Sequence, residues 1–502
     1  MSITGPGSIT ATNLLAQNNM MSQLNTLSQQ LGSGQTATTY SGLGSQAGLA
    51  VQLNAQLAAI NGYSNTANMV GTTLTIAQSV LNQLATAGTD VQSLINQQGT
   101  FTLDNNGQTT TQSSAASYLD QIVSLLNTQV GGNYLFSGSA VNDPSVASTS
   151  VILNGTGTQA GLTQVIAARL EADQGSDGLG RLSIPAVPPS SSTVTISQDA
   201  ANSPFGFQLT GVTSTLTGAT VSGPSGTPPS ISVDLGSNPN PGDSISFDLT
   251  LPDGSSQTIT LQATTASPPG ANQFTIGANA DATAANLQAA LAGAVSNVAQ
   301  TALPAASAIA AANNFFSIPP QVISGNPYTA TSLSNGTSAN TVFWYTGGNS
   351  AMPLQTATAQ VGPSLTIAYG MQANEPAISS LLANVAVLAA TSYSPSDPNA
   401  QASYQALCQR VTQNLGGQSG AQSIDDIETE IVNAQTTVKN ASAINTQTQN
   451  TLQDMLQGFE GVNQNQIGED ILTLQNDLSA SMSVTARLAQ MSLVNYLSPV
   501  TG

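Results

Sequence analysis

Apolar residues recur at seven-residue spacing near both ends of the chain, and this pattern limits its fold more than any other feature. Toward the carboxy terminus, Ile424, Ile427, Ile431, Ala434, Val438, Ala441, Leu452, Met455 and Phe459 hold one register across roughly ten helical turns. Asn445 and Thr448 occupy the two intervening positions. Such spacing puts one apolar seam on a helix, and the seam requires a partner along its length. A matching stripe stands nearer the amino terminus: Leu74, Ala77, Leu81, Leu84, Val91 and Ile95, with Gly88 its weak member. Shorter stripes flank these two, at Leu14, Met21, Leu24 and Leu31 and at Ile467, Ile471, Leu474, Leu478 and Met482. A third amino-terminal segment is apolar at Leu119, Ile122, Val123 and Leu126, and residues 31–45 read as a Gly/Ser/Thr-rich loop.

The middle of the chain follows a different period. Ile245, Phe247, Leu249 and Leu251 alternate with polar residues, Pro252-Asp253-Gly254-Ser255 supplies a turn, and Ile259 and Leu261 resume the alternation. That predicts a β-hairpin, with neighbouring strands near 193–196, 207–209 and 231–235. An Ala-rich helix follows, with Leu287, Leu291, Val295 and Val298 on one face. The fold class expected is α+β. Residues 1–150 form a helical region, 151–370 an inserted β-rich region, and 371–502 a second helical region that pairs with the first as an antiparallel, coiled-coil bundle.

Composition removes whole classes of function. The 502 residues include no His, one Cys, five Lys plus Arg and twenty-four Asp plus Glu, for a net charge of −19. Without imidazole there is no Ser-His or Cys-His pair and no His ligand, and one Cys cannot form an intrachain disulfide. The first basic residue is Arg169, so nucleic acid is not an expected partner. Residues 381–390, the longest apolar stretch, are interrupted by Asn384 and are too short to span a bilayer, so no membrane insertion is expected. The first twenty residues lack the basic and apolar regions of a secretory signal peptide. No catalytic, cofactor-binding or metal-ligating residue is assigned, and no enzyme is expected.

Several clusters have simple structural readings. Asp425, Asp426, Glu428 and Glu430 follow Ser423 at a helix start, where a capping box and the helix dipole account for them. Asp104–Gly107 and Asp173–Gly178 read as turns, since neither has calcium-loop spacing. Gly131-Gly132 lacks the Lys of a phosphate loop, and Cys408 reads as a buried apolar residue. Asn154-Gly155-Thr156 and Asn335-Gly336-Thr337 fit glycosylation sequons but also read as turns. Phe343-Trp344-Tyr345 is the one aromatic cluster, and its alternation turns at least one ring inward.

Four segments carry a resemblance to a known family. Leu27-Ser28-Gln29-Gln30-Leu31-Gly32-Ser33-Gly34 is similar to the helix end and loop of bacterial flagellins, although the charged residues that usually follow are absent. Asn127 through Gly132 leads into Asn133-Tyr134-Leu135-Phe136-Ser137-Gly138, which resembles a motif of the hook-associated branch of that family. Ser492-Leu493-Val494-Asn495-Tyr496-Leu497 is similar to that branch's closing helix, and Tyr369–Pro376 resembles the return from an inserted domain. The resemblance implies a structural subunit of the bacterial flagellum that joins hook to filament. Its partners would be copies of itself, other hook-associated proteins, flagellin, the flagellar export apparatus and an export chaperone. It further implies an extracellular location, export without a cleaved signal peptide, no cofactor and an outward-facing insert. A filament flagellin is the alternative within the family; a surface adhesin or glycan-binding module in the insert is the alternative from another class.

Overall fold

The apolar stripes lie on long helices. The computed structural model describes residues 6–97, 99–417 and 419–496. Its helices are α1 (Pro6–Ser33), α2 (Ala47–Asn96), α3 (Thr110–Leu126), α4 (Thr149–Asn154), α5 (Leu162–Gln174), α6 (Ala280–Phe315), α7 (Pro376–Ala390), α8 (Ala400–Leu415), α9 (Ile424–Glu460) and α10 (Gln464–Tyr496). Its strands are β1 (Gln129–Val130), β2 (Asn133–Tyr134), β3 (Leu182–Ser183), β4 (Thr193–Gln198), β5 (Gln208–Ser214), β6 (Ala219–Ser225), β7 (Ser230–Leu235), β8 (Ser244–Thr250), β9 (Ser256–Thr264), β10 (Gln273–Thr275), β11 (Gln321–Ile323), β12 (Leu333–Asn335), β13 (Thr358–Gly362) and β14 (Leu365–Ala368). The fold is α+β, with long helices toward both termini and a β-rich centre.

The chain divides into two compact units. The first comprises Met1–Gly71, Ala359–Ile367 and Thr436–Gly502; the second comprises Thr72–Thr358 and Ala368–Gln435.

In the first unit α1 runs antiparallel to α10. The Gln17 amide donates to Thr485 Oγ1 at 3.0 Å, and at the other end of the pair Thr36 N–H donates to the Glu460 carbonyl at 2.6 Å. The opening part of α2 lies along the later part of α9, where Leu53, Ile60 and Leu452 are buried with Leu57, Tyr63, Leu456 and Phe459 against them. Asn445, at a core heptad position, is 2% exposed. Its Nδ2 donates to the Val361 carbonyl of β13 at 2.8 Å, so the β13–β14 hairpin satisfies an amide that a purely apolar seam would strand.

The second unit has a sheet-and-helix core. Its sheets have strand orders β3-β4-β7-β6 and β10-β9-β8-β5, antiparallel except for the parallel β10–β9 pair. The hairpin read from residues 245–261 is β8–β9, with Ile245 opposite Leu261 and Phe247 opposite Ile259. Helix α6 lies against strands of both sheets. It buries Leu287, Leu291, Val295 and Ala299 completely, while Val298 is only half-buried at the margin. Asn279 caps α6 by accepting from Ala282 N–H at 2.9 Å. Helix α7 is buried on nearly every side, and its Asn384 hydrogen-bonds to the Ser380 carbonyl and to Asn414. That enclosure accounts for the apolar run at 381–390. No helix among the described residues is long and apolar enough to cross a membrane.

Candidate functional site

The terminal helices form the candidate site, and their seam differs from the stripe read on α1. Leu24 is half-buried, but Leu14 is 56% exposed, and Met21 and Leu31 are also exposed. The partly buried face of α1 carries Asn13, Gln17, Met20, Leu24 and Leu27 instead. Polar residues fit there because α10 offers hydroxyls: Gln17 reaches both Ser481 and Thr485. On α10 the half-buried face follows the expected Ile471, Leu474 and Leu478, whereas Met482 is exposed.

The first unit therefore has apolar groups in two settings. Some form its internal seams. Others are exposed, among them Leu14 and Leu15 on α1, Met69 on α2, Ile444 on α9 and Leu472 on α10, the last three each more than 60% exposed. In the second unit the exposed large apolar residues are fewer and scattered, at Ile318, Tyr328, Met352 and Val432. Single exposed apolar side chains are ordinary on a folded surface, but here they recur on four long helices of one unit.

The other expected assembly positions lie in internal seams. Leu74, Leu81, Leu84, Ile427 and Ile431 are buried in the second unit, and Val438 and Leu452 are buried in the first. The seam of α2 also extends upstream of Leu74 through Ala50, Leu53, Leu57, Ile60 and Ala67. Small residues at Ala50, Ala67 and Gly71 obscured it; Gly71 lies beside Val438 of α9.

The segment from Asn127 to Gly138 is a tightly bonded corner. The Asn127 side chain accepts from Val146 N–H and donates to the Val146 carbonyl, both at 3.0 Å, imitating a backbone pairing. Gly131 and Gly132 form the two-residue turn between β1 and β2, with φ of 61° and 87°. Both values lie in the left-handed region that a primed hairpin turn requires, which accounts for the glycine pair. Tyr134 is half-buried, Leu135 is buried, and Phe136 is fully enclosed.

Ser137 forms an antiparallel bridge with Gln372, Gly138 N–H donates to the Met371 carbonyl at 2.9 Å, and Ala373 N–H donates to the Phe136 carbonyl at 2.8 Å. A Cβ on Gly138 would stand 2.3 Å from the Gly348 carbonyl oxygen. Two segments more than 230 residues apart in sequence, 134–138 and 369–376, thus form one local structure. Ser492, Leu493 and Tyr496 lie in the last turns of α10, and Leu497 lies outside the described residues.

The ionisable groups serve packing and capping. Arg169, Arg181 and Arg410 pair with Asp173, Asp199 and Asp253 at 2.7–2.8 Å. Asp173 is therefore an inward-facing partner of Arg169; its carboxylate also accepts from Gly206 N–H, and burial raises its pKa against the pull of Arg169. Ser423 and Asp426 exchange hydrogen bonds between side chain and backbone N–H in both directions, and these hold the Asp426 carboxyl below its usual range. Cys408 is buried, and burial pushes its thiol up to about 11, away from thiolate reactivity. Trp344 and Tyr345 are both buried, with Trp344 stacked edge-on against Phe316, so this cluster forms core and presents no aromatic platform. Asn154 and Asn335 are exposed at the ends of α4 and β12, whose following loops meet at the Ala160–Thr341 bridge.

Comparison with known proteins bears on the amino-terminal part of this architecture. No curated protein matches the chain. Residues 7–141, which span α1 to the Tyr134–Gly138 corner, match the family model of the bacterial flagellin N-terminal helical region, and the match supports placing the chain in the bacterial flagellin family.

Proposed function

We propose that the chain is a structural subunit of the bacterial flagellum that assembles with copies of itself through its terminal helices. The observation that carries this reading is the recurrence of exposed large apolar residues on the helices of the first unit. One set of apolar residues closes the unit, and a second set remains uncovered on α1, α2, α9 and α10. Burying that second set between copies is favourable at roughly 25 cal/mol per Å² of apolar surface removed from water.

Within that reading, the role is to join hook to filament. The resemblance of the 134–138 corner and the end of α10 to the hook-associated branch supports this assignment. Its partners are then copies of itself, the neighbouring hook-associated proteins and flagellin, after delivery by the export apparatus and a chaperone to the cell exterior. The region 151–370 is placed on the outer side of the assembly, and the work is mechanical and not catalytic. A filament flagellin is the second reading, and the match to the flagellin N-terminal helical region fits it equally well. The adhesin reading has weaker support, because its one aromatic cluster is buried.

Deletion of the gene separates the two flagellar roles. A junction subunit leaves cells with hooks, no filaments, and flagellin shed into the medium. Normal filaments in the deletion strain would contradict any flagellar role that is not duplicated elsewhere. Loss of filament with no flagellin shed would favour the filament reading.

A further inference from the structure

The α1–α10 pair has an uneven distribution of charge along its length. Helix α1 has no charged residue, and α10 has Glu469, Asp470 and Asp477 in its first half and Arg487 in its second. Neither Asp470, in the second turn, nor Asp477, further along, lies in the first turn of α10, where the helix dipole acts most strongly. Both Asp470 and Asp477 border a groove of about 530 Å³ between the helices, lined also by Thr26, Leu27, Gln30 and Leu474. Two leucines, Leu27 and Leu474, stand among amides, hydroxyls and the two carboxylates of its lining, a mixture that suits an aliphatic stem ending in a cation.

Arg487 has that chemistry. It is exposed and makes no ion pair among the described residues, and exposed Val484 lies one turn before it on the same helix. Arg487 cannot fill the groove of its own chain. At 1.5 Å per residue it lies about 15 Å along the helix from Asp477 and about 26 Å from Asp470, well beyond an arginine's reach. The three charges are exposed in the single chain, and a direct ion pair between Arg487 and either carboxylate can form only between chains.

We propose that the α1–α10 groove receives Arg487 of a second copy, displaced along the helix axis by about 15–26 Å. Each copy then offers its groove to one neighbour and its Arg487 to the next. This is a head-to-tail contact, which generates a ring or an open helix according to the rotation that accompanies it. The inference rests on the self-assembly reading above and adds its direction and register.

Carbodiimide coupling of full-length protein tests the contact, because it joins an amine to a carboxylate with no spacer. Lys439 is the only lysine, so a K439R/R487K variant places the one lysine amine at the proposed site. In assemblies mixed from isotopically light and heavy chains, coupling between position 487 of one chain and Asp470 or Asp477 of another is expected. R487E is expected to raise the critical concentration for assembly about tenfold, and R487E with D470R and D477R to recover most of that loss. Assemblies of the K439R/R487K chain with no such crosslink, together with no effect of R487E, would overturn this contact and leave the self-assembly reading standing. Wild-type protein that forms no assemblies would overturn both.

Discussion

A variant carrying Leu14→Asp, Met69→Asp and Leu472→Asp is expected to fold as the wild type does and to lose self-assembly. Each of the three side chains is more than half exposed in the isolated chain. Each substitution therefore costs folding only a surface increment and a helix-propensity term, together about 0.5–1 kcal/mol. Between copies the balance reverses. A carboxylate forced into an apolar contact without a partner costs several kcal/mol, and the wild-type apolar burial is lost as well. Three such sites together should raise the critical concentration more than about a hundredfold. Sedimentation of assembled material reads the loss, and far-UV circular dichroism with a thermal scan checks that the helices and their stability remain. Equal assembly by the triple variant would mean that the uncovered apolar residues are not the contact surface.

The second large effect is internal. Phe136→Ala is expected to destabilise the second unit by about 3–5 kcal/mol, the usual cost of removing a fully buried aromatic ring. Phe136 is completely enclosed, and its own carbonyl holds Ala373 N–H. The cavity would open where the 134–138 corner meets the 371–373 return, so neither strand could shift to fill it without losing the Ser137–Gln372 bridge. Denaturant titration of the full chain should show the transition of the second unit moving to lower denaturant while that of the first unit stays in place. A shift below about 1 kcal/mol would show that the corner carries little stability.

What could be read in advance depended on how far apart the interacting residues lie. The β8–β9 hairpin was legible because its alternation, turn and pairing all fall within residues 244–264. The α9 seam was legible because large apolar residues mark most of its positions, except that Met455 is exposed and Leu456 packs inward instead. The capping box at Ser423 and Asp426 was legible for the same local reason. The face of α1 was not legible, because its seam includes Asn13 and Gln17. What satisfies Gln17 is a pair of hydroxyls more than 460 residues away, which no local pattern encodes.

Residues 50–71 of α2 escaped notice for a different reason. Ala and Gly permit close helix approach while contributing almost nothing to an apolar count. Asp173 read as part of a turn, and only the fold shows Arg169 and Gly206 N–H converging on it. The pairing of residues 134–138 with 369–376 was likewise invisible. Each segment carried a resemblance separately, and nothing in either named the other.

Imaging of assembled full-length protein at side-chain resolution tests the central claim most directly. The account predicts subunits joined through α1 and α10, with Leu14, Leu15 and Leu472 covered by neighbouring copies and residues 151–370 turned away from the axis. An assembly joined mainly through the sheets of the second unit, with those three leucines still facing solvent, would contradict it.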